Sequence, residues 1–155
     1  MCMTTTLNPT FADAPSRPDL AKAPVAVVGA VAGAVAAIAA TAVAVAAKAV
    51  DVPMLAAPKT DPVGRAIPMY GFAMGTLLST TIGIVIAVAL LRYAKRPART
   101  FAIVTTVLTV ASFSGPITTG HATTATRLVL SLTHVVAAAI VIPAVTWRLA
   151  QRATR

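Results

Sequence analysis

Apolar positions in this chain gather into four long uncharged runs, separated by short stretches of proline, threonine or basic residues. The runs fall at about 24–47, 69–91, 100–117 and 128–147. A helix needs roughly 20 apolar residues to cross the hydrocarbon layer, and these runs are of that order. The pattern predicts an all-α fold, an integral membrane bundle of four transmembrane helices forming one domain over residues 23–149.

The polar stretches set the remaining boundaries. Residues 1–22 mix Thr, Pro, Asp and Asn with little apolar periodicity and read as a disordered tail. A cleaved signal peptide is the rival reading of the first run. That run is longer than the roughly 7–15 apolar residues of a signal segment and begins late, so a retained span is expected. Between Lys48 and Pro68, prolines at 53, 58, 62 and 68 forbid a continuous helix. An extended loop is expected there, with a short strand around Val50 to Leu55. Gly115-Pro116 marks the end of the third run, and residues 117–126 read as a short loop. Tyr70 and Tyr93 flank the second run and Trp147-Arg148 closes the fourth, where amphipathic side chains anchor at membrane interfaces. Residues 150–155 form a basic tail.

Charge orients this arrangement. Arg92, Lys95, Arg96 and Arg99 lie together between the second and third runs, and the positive-inside rule holds such a loop in the cytoplasm. The two tails on that side add Arg17, Lys22, Arg148, Arg152 and Arg155. The opposite loops carry Lys48, Lys59, Arg65 and Arg127. Both termini are therefore expected in the cytoplasm, and the location expected is the plasma membrane.

Composition supports the same class. The chain of 155 residues is 57% hydrophobic and 11% charged, with a mean hydropathy of +0.84. Its net charge of +9 does not point to nucleic acid, because the cations sit mostly at the ends of apolar runs, where topology signals and lipid phosphates meet them. The acidic residues Asp13, Asp19, Asp51 and Asp61 all precede the second run.

Groups able to carry chemistry are scarce. A single cysteine, Cys2, excludes an internal disulfide and a thiolate cluster, and two histidines, His121 and His134, are too few for a metal site. No nucleophile elbow, phosphate loop or dinucleotide fingerprint is present. His134 lies within the fourth run, on one helical face with Arg127 and Ser131. The three form either a proton- or ligand-handling cluster or, as the structural reading has it, an interhelical hydrogen bond that locks the bundle. The expectation is no enzymatic activity and no cofactor.

Glycine supplies a packing signal instead. Gly29, Gly33 and Ala37 recur every four residues in the first run, and Gly71, Gly75, Ser79, Gly83 and Ala87 do so in the second. Small residues at that spacing let helix backbones approach closely in lipid. The stripes predict that the first and second helices pack together, or that the second presents a homodimer face.

Three segments carry a resemblance: Ala-Lys-Arg-Pro-Ala-Arg-Thr-Phe (94–101), Thr-Val-Leu-Thr-Val-Ala-Ser-Phe (106–113) and Leu-Ser-Leu-Thr-His-Val-Val-Ala-Ala (130–138). Together they resemble a bacterial family of four-span membrane proteins catalogued as domain of unknown function 6069. The likeness extends over roughly residues 24 to 150. It implies architecture and brings no activity, substrate or catalytic residue. The function expected is a structural or accessory role exerted through helix faces. The partners are then the bilayer and another membrane protein or a second copy of this chain. The alternative is a small transporter or permeation subunit working as an oligomer.

Overall fold

The computed structural model describes residues 23–153 except 58, 59, 61 and 62. The tail assigned to residues 1–22 and the last two residues of the basic tail lie outside the described residues. Helices α1 (Val25–Ala49), α2 (Met69–Tyr93), α3 (Pro97–Ser112), α4 (Ser114–Thr118) and α5 (Thr124–Ala153) account for nearly all of the rest. Two-residue strands β1 (Leu55–Ala56) and β2 (Arg65–Ala66) form an antiparallel hairpin. Counting α3 and α4 as one broken rod, four helices are long and apolar enough to cross a membrane. The fold is a four-span membrane bundle.

Its boundaries depart from the apolar runs in instructive ways. The third span starts earlier than position 100 because Pro97 suits the first helical turn, where an N–H is not needed. It breaks at Phe113, before Gly115-Pro116, and resumes as the single turn α4. The fourth helix outruns its apolar run at both ends and carries Pro143 in its interior. Thr123 opens it as an N-cap, its hydroxyl accepting from the Thr126 amide at 3.2 Å. The strand expected at Val50 to Leu55 sits instead at 55–56, because residues 50 and 51 turn the chain and Asp51 takes a positive φ of 57°.

The bundle is arranged around α1. Val25, Gly29, Ala32, Ala36, Ala40 and Ala44 are among the positions that α1 buries, a surface made of small side chains. That surface lets α2 and α5 both approach closely, and these are the two contacts that α1 makes extensively. Helix α3 packs on α5, whereas α2 and α3 touch each other little.

Two apolar clusters close the ends. At the end bearing the basic turn, Val25, Ala87, Phe101, Val145 and Leu149 are buried together. At the hairpin end, Ala44, Ala47, Met54 and Phe72 form the second. There the loops knit into a cap. Ala57 and Gly120 exchange backbone hydrogen bonds at 3.2 and 3.0 Å, the Ile67 amide donates to Met54 O at 2.8 Å, and the buried Thr126 hydroxyl donates to Pro53 O.

Candidate functional site

Because α1 and α5 hold α2 and α3 on separate sides, a cleft of about 470 Å³ opens between α2, α3 and α5. It runs along α2 from Gly71 to Ile86, about 22 Å at helical rise. Phe101 of the basic-end cluster and Phe72 of the hairpin-end cluster both line it.

The lining explains the small-residue stripe of α2. Gly71, Gly75, Ser79 and Gly83 all line the cleft. A Cβ built on Gly75 or Gly83 would meet no atom within 4 Å, so within this chain neither glycine marks a helix crossing. The first and second helices do pack together, and Ala87 at the end of the stripe is buried with Val25, but Gly75 and Gly83 take no part in that contact. The α1 glycines do mark one: a Cβ on Gly29 would lie 2.6 Å from Ile84 Cγ1, and one on Gly33 would lie 2.5 Å from Thr80 Cγ2. Close approach needs smallness on only one helix of the pair. Here α1 supplies the hollows and α2 supplies the knobs Thr80 and Ile84, about a quarter-turn from its own stripe.

Five of the hydroxyl groups that line the cleft bond their own helix and do not offer the cleft their protons. Thr76 donates to Phe72 O at 2.8 Å, Thr105 to Phe101 O at 2.7 Å, Thr109 to Thr105 O at 2.8 Å and Ser112 to Thr109 O at 2.6 Å. Thr133 does the same to Leu130 O at 2.7 Å. Each proton bonds a carbonyl of its own helix, which leaves methyl groups and lone pairs to face the space.

His134 is also a lining residue. Its Nδ1 donates to Leu130 O at 2.7 Å, and its ring stands 6.1 Å from that of Phe113 at 46°. Donation from Nδ1 leaves Nε2 of the neutral ring as an acceptor. The cluster expected from Arg127, Ser131 and His134 is not assembled, since no hydrogen bond joins the three. Arg127 reaches back to Thr119 O at 3.1 Å, and its Nε is buried without a partner. Ser131 is half-buried and does not line the cleft. Sharing one helical face brought the residues near in register, but Arg127 and His134 each found a backbone carbonyl instead.

At the basic end, Arg92 in the last turn of α2, Lys95 and Arg96 in the connecting turn and Arg99 in the first turn of α3 are all exposed. Arg148 behaves differently from the interfacial anchor expected of it. It is 2% exposed, with Nε donating to Ala23 O at 2.7 Å and Nη1 to Gln151 Oε1 at 3.3 Å. Its neighbour Trp147 remains half exposed, as an anchor should. The spacing Val145, Arg148, Leu149 on one helical face already carried the signal that Arg148 turns inward. Likewise Thr105, Thr109 and Ser112 recur at helical spacing, a stripe from which the α3 wall of the cleft was readable. Among the described residues, no group of three or more metal-ligating side chains forms.

No curated protein and no solved structure matches the chain. A family model does, over residues 20–151, which takes in all four spans and both walls of the cleft. The match covers most of the sequence, and with four long apolar helices in the expected order, this chain belongs to the family of unknown function DUF6069.

Proposed function

We propose that this protein is a non-enzymatic accessory component of the plasma membrane that works sideways, through the cleft between α2, α3 and α5. The observation that carries this reading is the character of the cleft. It is bounded at its ends by apolar clusters and walled largely by glycines, aliphatic groups and hydroxyls, most of which are bonded to backbone. Such a space suits an apolar component arriving from the bilayer, and its volume lies in the range of about 300–1,000 Å³ usual for ligand sites. A permeation role has less support, because no acidic side chain is among the residues that line the cleft to draw in a cation. The only described acidic residue, Asp51, lies in the hairpin-end loop.

The same reading places the basic end and both termini in the cytoplasm, on the weight of Arg92, Lys95, Arg96 and Arg99. It also retains α1 as a span, supported by the central place of that helix between α2 and α5. Neither nucleic acid nor a cofactor enters this reading.

Photo-crosslinking in native membranes tests it. A diazirine side chain at Gly83, in the cleft, should capture a discrete partner, whether lipid or protein. The same group at Val85, 63% exposed on α2 and outside the cleft lining, should label bulk lipid only. Identical products from the two positions would remove the cleft from consideration as a working surface.

A further inference from the structure

We propose that the cleft seats an anionic phospholipid of the cytoplasmic leaflet. Its phosphate would lie on the Arg96–Arg99 turn and one acyl chain would enter the lower cleft. The inference rests on the reading of the cleft as the working surface.

Charge singles out this occupant. Helices α2 and α3 form two walls of the cleft, and the turn between them with its flanking helix ends carries Arg92, Lys95, Arg96 and Arg99, all exposed. No acidic residue among those described lies at this end, since Asp51 is at the other. Basic clusters directly cytoplasmic of a span attract anionic headgroups. The first turn of α3 adds backbone N–H groups of positive polarity, with Arg99 among them.

Register joins the headgroup to the chain. Phe101, which lines the cleft, follows Arg99 by two residues, about 3 Å along the helix axis and about 200° around it. The cation thus matches the cleft in depth and reaches its mouth only by the length of its side chain. From Phe101 to Ser112 the α3 wall extends about 17 Å at helical rise. One leaflet of hydrocarbon is about 15 Å deep, so a chain whose headgroup sits at Arg96–Arg99 matches the length of that wall. The self-bonded hydroxyls of Thr105 and Thr109 present a surface that methylene groups can cover without leaving a proton donor unpaired. A neighbouring transmembrane helix would use the same apolar walls but would give the four cations no counter-charge.

Native mass spectrometry of the full chain, titrated with phosphatidylglycerol or phosphatidylcholine, decides the matter. The wild type should retain phosphatidylglycerol at roughly tenfold lower lipid concentration than phosphatidylcholine. The double variant Arg96→Gln/Arg99→Gln should lose on the order of thirty-fold in phosphatidylglycerol retention, at about one kcal/mol for each basic residue near an anionic surface. Gly83→Leu fills the cleft where no atom now stands and leaves the charges in place, and it should weaken retention of the same lipid. Equal retention of the two lipids by the wild type overturns the proposal. So does a Gly83→Leu variant that binds as the wild type does, because the lipid would then be held by the turn alone. If the diazirine at Gly83 captures a protein and no phospholipid, the lipid assignment fails while the cleft survives as the working surface.

Discussion

Arg148 and Ala23 stand 125 positions apart and are joined by a 2.7 Å hydrogen bond from Nε to a main-chain carbonyl. The bond ties the C-terminal part of α5 to the residue just before α1, beside the buried cluster of Val25, Val145 and Leu149. A guanidinium with 2% exposure cannot be replaced without leaving a carbonyl or a cavity behind. Arg148→Ala should therefore lower stability by about 1.5–3 kcal/mol, the range for a hydrogen bond to a charged group. Arg152→Ala, on an exposed position of the same helix, should stay within about 0.5 kcal/mol of wild type. Unfolding in mild detergent followed by circular dichroism makes the comparison, and equal losses would mean that the buried bond contributes nothing.

The glycines of α1 and α2 should respond in opposite ways. Gly33→Leu drives a branched side chain into Thr80 and should cost on the order of 1–3 kcal/mol, as overpacked interiors do. Gly75→Ala adds a methyl group that meets nothing and should leave stability unchanged or raise it by up to about 1 kcal/mol. Thermal unfolding of both variants reads the difference. A Gly75→Ala protein as unstable as Gly33→Leu would show that the α2 stripe forms a helix contact after all, with a second copy as the candidate.

Thr126 holds the cap at the hairpin end. Its hydroxyl is buried and donates to Pro53 O, so Thr126→Val keeps the shape and removes the bond. The expected loss is about 1 kcal/mol, accompanied by faster amide exchange at Ala57 and Ile67, whose N–H groups bond Gly120 and Met54. Unchanged exchange at those two amides would place the stability of the cap elsewhere.

Orientation is open to a direct chemical test. With Cys2 replaced by Ser, a cysteine at Thr60 should react with a membrane-impermeant thiol reagent on intact cells, and one at exposed Lys95 should react only after the cells are opened. Lys95 is a better reporter than Ala98, which packs against the basic-end cluster. Labelling of Lys95→Cys from outside would invert the bundle.

What was legible in the sequence was whatever a single helix decides by itself. Run length and proline placement marked the four spans to within a few residues, because lipid demands a stretch of apolar helix whatever its neighbours do. Gly29 and Gly33 were readable as a close approach. The partner of the α2 stripe was not, because spacing tells which residues share a face and not which direction that face takes. The quarter-turn between Gly83 and Ile84 decides between a cleft and a helix contact, and only packing of α1 against both α2 and α5 sets it. The Arg127, Ser131 and His134 grouping failed for a related reason. Helix register brings side chains to one face, yet in lipid the nearest backbone carbonyl competes for every donor, and Thr119 O and Leu130 O won.

The central position of α1 has a consequence for the order in which the molecule is built. Its partners are α2, which follows it directly, and α5, which comes after α2, α3 and α4 in the chain and is therefore made after them. Until α5 arrives, half of an alanine- and glycine-rich surface faces lipid that gains little from it. The first span is thus fully enclosed only when α5 is in place, and its alanine- and glycine-rich surface is the seat that α5 fills.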